Sequence, residues 1–206
     1  MTAVTLVVRH GQTASNLAAR YAGRSSEPLT NTGRDQIRRL ASRLETCGIG
    51  QIWTSEVARA RESAQIVAEV LGVPMMGDAR LNELLMGPWE GLTESEVAVR
   101  FPEAFALWQD CPGRLVLEGR ETLDTLGARV SATLSDAAMQ ESPVLLMTHV
   151  APIRVGILNL LALPLRLYKR LRVCNADCIV IDHGGSEARR LGKAKSLRDE
   201  VMALES

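Results

Sequence analysis

Three times along this 206-residue chain a short β-branched or apolar run gives way to a polar turn and then to an amphipathic helical pattern. Val4 to Val8 reads as a buried strand, Ile49 to Thr54 as a second and Val144 to Thr148 as a third. The second feeds a helix over Val57 to Leu71, where Val57, Ala60, Ala64, Val67, Ala68 and Leu71 recur at helical spacing. The third feeds a helix opening at Pro152, a residue suited to a first helical position. Between the first two strands a helix is expected from about Thr32 to Glu45, with Ile37, Leu40, Ala41 and Leu44 on one face and Cys47-Gly48 ending it. Strands alternating with helices pair in parallel and need cover on both faces. The expected fold is α/β, a three-layer sandwich whose mostly parallel central sheet is flanked by helices.

The stretch from Gly87 to Gly119 breaks the alternation with three Pro, four Gly and short helical pieces. It also holds Trp89, Phe101, Phe105 and Trp108, of which the last three share a helical face and are expected to pack as a local core. This stretch reads as a small cap inserted into the sheet domain. A helix from about Glu121 to Met139 returns to the sheet, and Cys178 to Asp182, turning at His183-Gly184-Gly185, begins a strand pair ending near Gly192. Residues 1–192 are expected to form a single domain, with Lys193 to Ser206 a polar, mobile tail of one helical turn or two.

Charge narrows the function. The 24 Lys plus Arg balance 24 Asp plus Glu, so the basic excess of a general nucleic-acid or acidic-membrane binder is absent. All the cations except Lys169, Lys193 and Lys195 are Arg, a bias that is mainly compositional, although individual guanidinium forks suit phosphate and carboxylate. The apolar run at the start is short and has no basic leader, so a cytoplasmic protein without membrane attachment is expected. Cys47, Cys111, Cys174 and Cys178 match no disulfide framework or zinc-ligand spacing, and no metal or other cofactor is expected.

In open α/β sheets, ligands bind beyond the carboxyl ends of the strands. The first strand-to-helix turn carries Arg9-His10-Gly11-Gln12-Thr13. The second carries Ser55 and then Arg59 and Arg61, and the third carries His149-Val150-Ala151-Pro152. A neutral imidazole is a competent nucleophile toward phosphorus, and guanidinium groups around it would hold the equatorial oxygens during phosphoryl transfer. Free amides at the start of the third helix add an anion site. Together these turns read as a phosphate pocket.

The segment Leu6-Val7-Val8-Arg9-His10-Gly11-Gln12-Thr13, with Asn16 following, resembles the Arg-His-Gly signature of the histidine phosphatase superfamily, in its phosphoglycerate mutase-like branch. Pro28-Leu29-Thr30 with Gly33 and Gln36, Ser55 through Arg59-Ala60, and Leu81-Asn82-Glu83 followed by Gly87-Pro88-Trp89-Glu90-Gly91 resemble further segments of that family in the same order. The resemblance implies that His10 takes the phosphoryl group and that Arg9, Arg59 and His149 bind and neutralise it. It makes Glu83 the acid for the leaving oxygen and then the base for water. Thr13 and Asn16 are implied secondary phosphate ligands, Gly11 a point of close backbone approach, and Val150 a phosphate contact that narrows the pocket where the family usually has Gly.

Arg61 competes with Arg59, but two residues apart on a helix point to different faces, so Arg61 is expected in solvent. Glu90 competes with Glu83, and His183 reads as a surface turn residue. Tyr21, Arg24, Arg100, Arg114 and Arg120 are candidates to read the non-phosphate part of a substrate. The expected activity is metal-independent hydrolysis of a small phosphorylated metabolite. A phosphoglycerate-type mutase and a non-catalytic phosphate binder are the alternatives; the short interval from Glu83 to His149 favours hydrolysis over mutase action. Dimerisation through a sheet edge or the tail is left open.

Overall fold

Buried strands dictate the architecture. The structure, a computed structural model, describes residues 4–203. In chain order the elements are β1 (Val4–Arg9), α1 (Ala14–Leu17), α2 (Asn31–Leu44), β2 (Gln51–Thr54), α3 (Ala58–Leu71), β3 (Met75–Gly77), α4 (Glu94–Arg100), α5 (Pro102–Asp110), α6 (Leu123–Ala138), β4 (Val144–Thr148), α7 (Val150–Leu160), β5 (Cys178–Asp182), β6 (Glu187–Arg190) and α8 (Leu197–Met202). The six strands form one sheet in the order β3-β2-β4-β1-β5-β6. From β3 to β1 the neighbours are parallel, and β5 and β6 complete the sheet antiparallel.

Period-two alternation sends successive strand residues to opposite layers. Leu6 and Val8 of β1 and Leu145 and Met147 of β4 pack with α2 and α3, beside Ile37, Leu40, Ala60 and Val67. Val7, Val144 and Leu146 face the other layer, beside Leu126 and Val130 of α6 and Ile153 and Ile157 of α7. Both faces of the central strands are thus covered, which is why they read as unbroken apolar runs.

Residues 87–119, the segment expected as a cap, add short helices and no strand to the sheet, and the two ends of this segment meet. Gly87 has φ +57°, and a Cβ there would fall 2.6 Å from the Gly119 carbonyl. Only glycine fits so close a crossing. Trp89 and Trp108 fill the cap with ring centroids 6.1 Å apart, edge to face, and both belong to the α6/α7 core.

Several expectations need correction. The third helix opens at Val150 with His149 as its N-cap, so Pro152 is the third helical residue and the free amides precede it. Residues beyond 192 are not a loose polar tail: Leu197 and Val201 of α8 are fully buried in the α6/α7 core, while 204–206 lie outside the described residues. His183 is half-buried, with its Nε2 2.8 Å from Thr5 Oγ1. The edge strand β3 escaped notice because three residues, Met-Met-Gly, carry no alternation to read.

Candidate active site

The carboxyl ends of β1, β2 and β4 converge as their parallel pairing requires. Arg9 is the last residue of β1 and pairs with Thr148, the last of β4. His10 follows, 2% exposed, and its ring lies 5.1 Å centre to centre from that of His149. Arg59, in the first turn of α3, is 1% exposed. Arg9, His10, Arg59 and Glu83 line one pocket of about 150 Å³, together with Asn16 and Val150.

The loop after β1 is shaped by two glycines. Thr30 caps α2 by accepting from the Gly33 amide, and a Cβ on Gly11 would sit 2.4 Å from the Gly33 carbonyl oxygen. The close approach made by Gly11 is therefore to the backbone of α2.

Hydrogen bonds define both imidazoles. His10 Nδ1 lies 2.7 Å from the Gly11 carbonyl, which can only accept, so Nδ1 carries the proton. Nε2 then holds the lone pair and accepts from Arg59 Nε at 3.2 Å. Burial, Arg59 and Arg9 hold the His10 pKa well below the usual 6.5, which keeps this nitrogen unprotonated at neutral pH.

For His149 a relay does the same work. Asn82 Oδ1 accepts from the Glu56 amide and from Ser55 Oγ, each at 2.8 Å. Ser55 has then given its only proton, so at its 2.8 Å contact with His149 Nε2 it must accept. Nε2 is the protonated nitrogen and Nδ1 remains buried with no hydrogen-bond partner among the described residues. Burial, then Arg59 and His10, push the His149 pKa well down.

Glu83 is 7% exposed, and burial raises its pKa despite Arg59 and Arg9 nearby. Its Oε1 accepts from the Leu84 amide at 2.8 Å. A buried carboxyl whose pKa is raised, lining the same pocket as an imidazole lone pair and two guanidinium groups, has the chemistry of an acid placed opposite a nucleophile. Glu90 is exposed, and Arg61 points to solvent.

Not every expected contact is made. Thr13 is fully buried and donates to Glu27 Oε1 at 2.7 Å while capping α1, so it serves the loop and does not line the pocket. Tyr21 lines the pocket. Arg24 instead supports the backbone at the Glu83 carbonyl, 2.9 Å from its Nε, and Arg100 and Arg114 are exposed and away from the pocket. Arg120 is buried in the cap, its guanidinium 5.2 Å from the Trp89 ring centre and 4.4 Å from that of Trp108, outside the pocket lining.

The upper wall brings residues the motifs do not mark: Arg20, Arg154, Tyr168 and Lys169, with Trp108 of the cap. Arg154 carried one usable signal, its place early in the helix that His149 caps. Tyr168 and Lys169 lie in an irregular stretch after α7, where no periodicity points inward.

Comparison with known proteins agrees with this geometry. The pattern of the histidine phosphatase superfamily (branch 1) matches residues 5–193. The Serratia proteamaculans protein named "Probable phosphoglycerate mutase GpmB" is 33% identical over 183 residues, covering 86% of this chain and 83% of its own. Among solved structures, the mycobacterial glucosyl-3-phosphoglycerate phosphatase in complex with VO3 superposes with a TM-score of 0.79 at 26% identity, over 87% of this chain and 90% of its own. The Bacillus stearothermophilus protein YhfR gives 0.80 at 28%, with the same coverage. A match that runs through every strand end forming the pocket leaves one assignment: the chain belongs to the histidine phosphatase superfamily, branch 1.

Proposed function

We propose that the protein hydrolyses a small phosphomonoester through a phosphohistidine on His10. The observation that carries this reading is the nucleophile itself: a buried imidazole whose Nδ1 proton is engaged by Gly11 and whose Nε2 lone pair meets Arg59. On substrate entry, Arg59 Nε exchanges that lone pair for a phosphoryl oxygen, while Arg9 neutralises another. His10 Nε2 then attacks phosphorus. The bond to the leaving oxygen breaks as Glu83 gives that oxygen its proton. In the second step the Glu83 carboxylate takes a proton from water, whose oxygen attacks the phosphoryl group and releases inorganic phosphate and free His10. An entering phosphate dianion also offsets the charges that depress His149, so that its Nδ1 gains a proton and donates to phosphate. Asn16 and the Val150 amide complete the phosphate contacts.

Release of phosphate from p-nitrophenyl phosphate by the wild type, its loss in His10→Ala and its indifference to chelator are the expected results. Strict metal dependence or full activity of His10→Ala would overturn the reading. The relatives named as phosphoglycerate mutases support a second one, transfer between positions of one substrate. Formation of an isomeric phosphoester from 3-phosphoglycerate, with no free phosphate, would select it.

A further inference from the structure

A phosphate contact from Asn16 requires its side chain to present the amide nitrogen, because the oxygen of the same group can only accept and would repel a phosphoryl oxygen. Two hydrogen bonds fix which end faces the pocket. The Thr13 backbone amide lies 3.2 Å from Asn16 Oδ1 and can only donate, so the atom it meets is the oxygen. The same oxygen accepts from Asn175 Nδ2 at 2.8 Å, which uses its second lone pair. Asn16 Nδ2 makes no hydrogen bond to the described residues, on a side chain that lines the pocket with Arg9, His10 and Glu83. It is a donor held in reserve.

Asn175 is itself fixed. Its Nδ2 carries two hydrogens, and the one not given to Asn16 goes to the His10 carbonyl at 3.2 Å, a group that can only accept. The backbone that follows clamps the same strand end: the Ala176 amide meets the Arg9 and His10 carbonyls at 3.1 and 3.2 Å, and the Arg9 amide donates to the Asp177 carbonyl at 3.0 Å. Ala176 has φ +58°, a left-handed conformation that a residue with a Cβ disfavours. The turn is therefore held by its bonds to Arg9 and His10 and not by local preference. Asn175 does not line the catalytic pocket, so any action on phosphate passes through a neighbour.

We propose that Asn175 is a positioning residue for phosphoryl binding: by donating at once to the His10 carbonyl and to Asn16 Oδ1, it holds the Asn16 amide with Nδ2 toward the phosphoryl oxygens, tied to the backbone of the nucleophile. The inference rests on the phosphohistidine reading above and adds to it a residue that no motif marks.

Coupling between the two asparagines separates this role from a merely structural one. Kd for inorganic phosphate is measured by calorimetry in the wild type, Asn16→Ala, Asn175→Ala and the double variant, with kcat/KM for p-nitrophenyl phosphate alongside. Asn16→Ala is expected to weaken phosphate about 10-fold or more, as loss of a hydrogen bond to a charged group does, and Asn175→Ala about 3- to 10-fold. Removing Asn175 from Asn16→Ala should add less than about a twofold further loss, because the group it positions is already gone. Asn175→Asp keeps the size and turns the donor into an acceptor, so its effect should be greater with Asn16 present than absent, whereas its charge alone acts alike in both backgrounds. It carries the same comparison should Asn175→Ala not fold. Equal losses in the two backgrounds overturn the proposal, as does an Asn175→Ala protein that binds phosphate as the wild type does. Coupled phosphate binding without turnover of p-nitrophenyl phosphate would instead count against the hydrolase reading and leave the positioning role in place.

Discussion

The floor and the upper wall of the same pocket are built in different ways. On the floor, Arg9, His10 and Arg59 stand at a strand end or in the first turn of a helix, with His149 buried against the His10 ring, and each is fixed by a bond to the Val173, Gly11 or Gly23 carbonyl or, for His149, to Ser55 Oγ. The wall is assembled from Arg20, α7, the stretch after it and residues 87–119, and its cations are held by the Leu171 carbonyl of that stretch and by Gln109 and Glu96 on α5 and α4. A floor of this kind holds one phosphoryl group in one geometry. The wall can change with little effect on the floor, so chemistry and selectivity are expected to separate under mutation.

The largest effect is expected at the floor's centre. His10→Ala should lower kcat for p-nitrophenyl phosphate by about 10⁴-fold or more, as loss of a nucleophile does in enzymes whose catalytic groups act as a unit. Steady-state kinetics measures it. Glu83→Gln should cost about 10²–10⁴-fold in kcat, the span of general acid catalysis. The pH profile adds a sign: activity rises with pH through a His10 limb lying below 6.5 and falls as Glu83 loses a proton it holds more tightly than an ordinary carboxyl. Glu83→Gln should remove the alkaline limb and leave the acid one.

Ser55→Ala tests whether the relay through Asn82 belongs to the floor's function. Loss of a hydrogen bond to a group that becomes charged is worth about 1.5–3 kcal/mol, so kcat/KM should fall about 10- to 100-fold. Ser55→Thr should restore part of it, which a purely steric role would not allow.

The smallest effect is expected beyond the wall, inside the cap. The Arg120 guanidinium gains a cation–π contribution of about 2 kcal/mol from its tryptophans. Its buried Nε and Nη2 have no hydrogen-bond partner among the described residues, and such groups cost about 1–3 kcal/mol each. At the low end of that cost the two effects cancel and above it the cost exceeds the gain, so Arg120→Met should leave Tm unchanged or raise it, by about 2–4 °C for each kcal/mol of excess. A clear drop in a thermal melt would give the charge a structural role that the contacts do not reveal.

What the sequence disclosed follows the same division. The three strand-turn-helix units and the convergence of His10, Arg59 and His149 were legible because apolar periodicity and strand ends are local signals. Arg154, Tyr168 and Lys169 were not, since what brings them to the pocket is tertiary packing of irregular chain. Thr13 was misplaced for a related reason: a hydroxyl beside an arginine-histidine pair looks like a ligand until Glu27 and the α1 amides are seen to claim it. The polar residues after 192 concealed Leu197 and Val201, two apolar side chains four apart that suffice to dock a short helix.

The central claim is that His10 Nε2 forms a bond to phosphorus. Rapid mixing with a phosphomonoester, alkaline quench and peptide mass spectrometry with ³¹P NMR test it directly. The expected result is one phosphoryl group on the peptide containing His10, attached at Nε2 and absent from Glu83→Gln only if the first step has failed there. A wild-type enzyme that turns over rapidly with no phosphohistidine, or with the group on His149, would contradict the account.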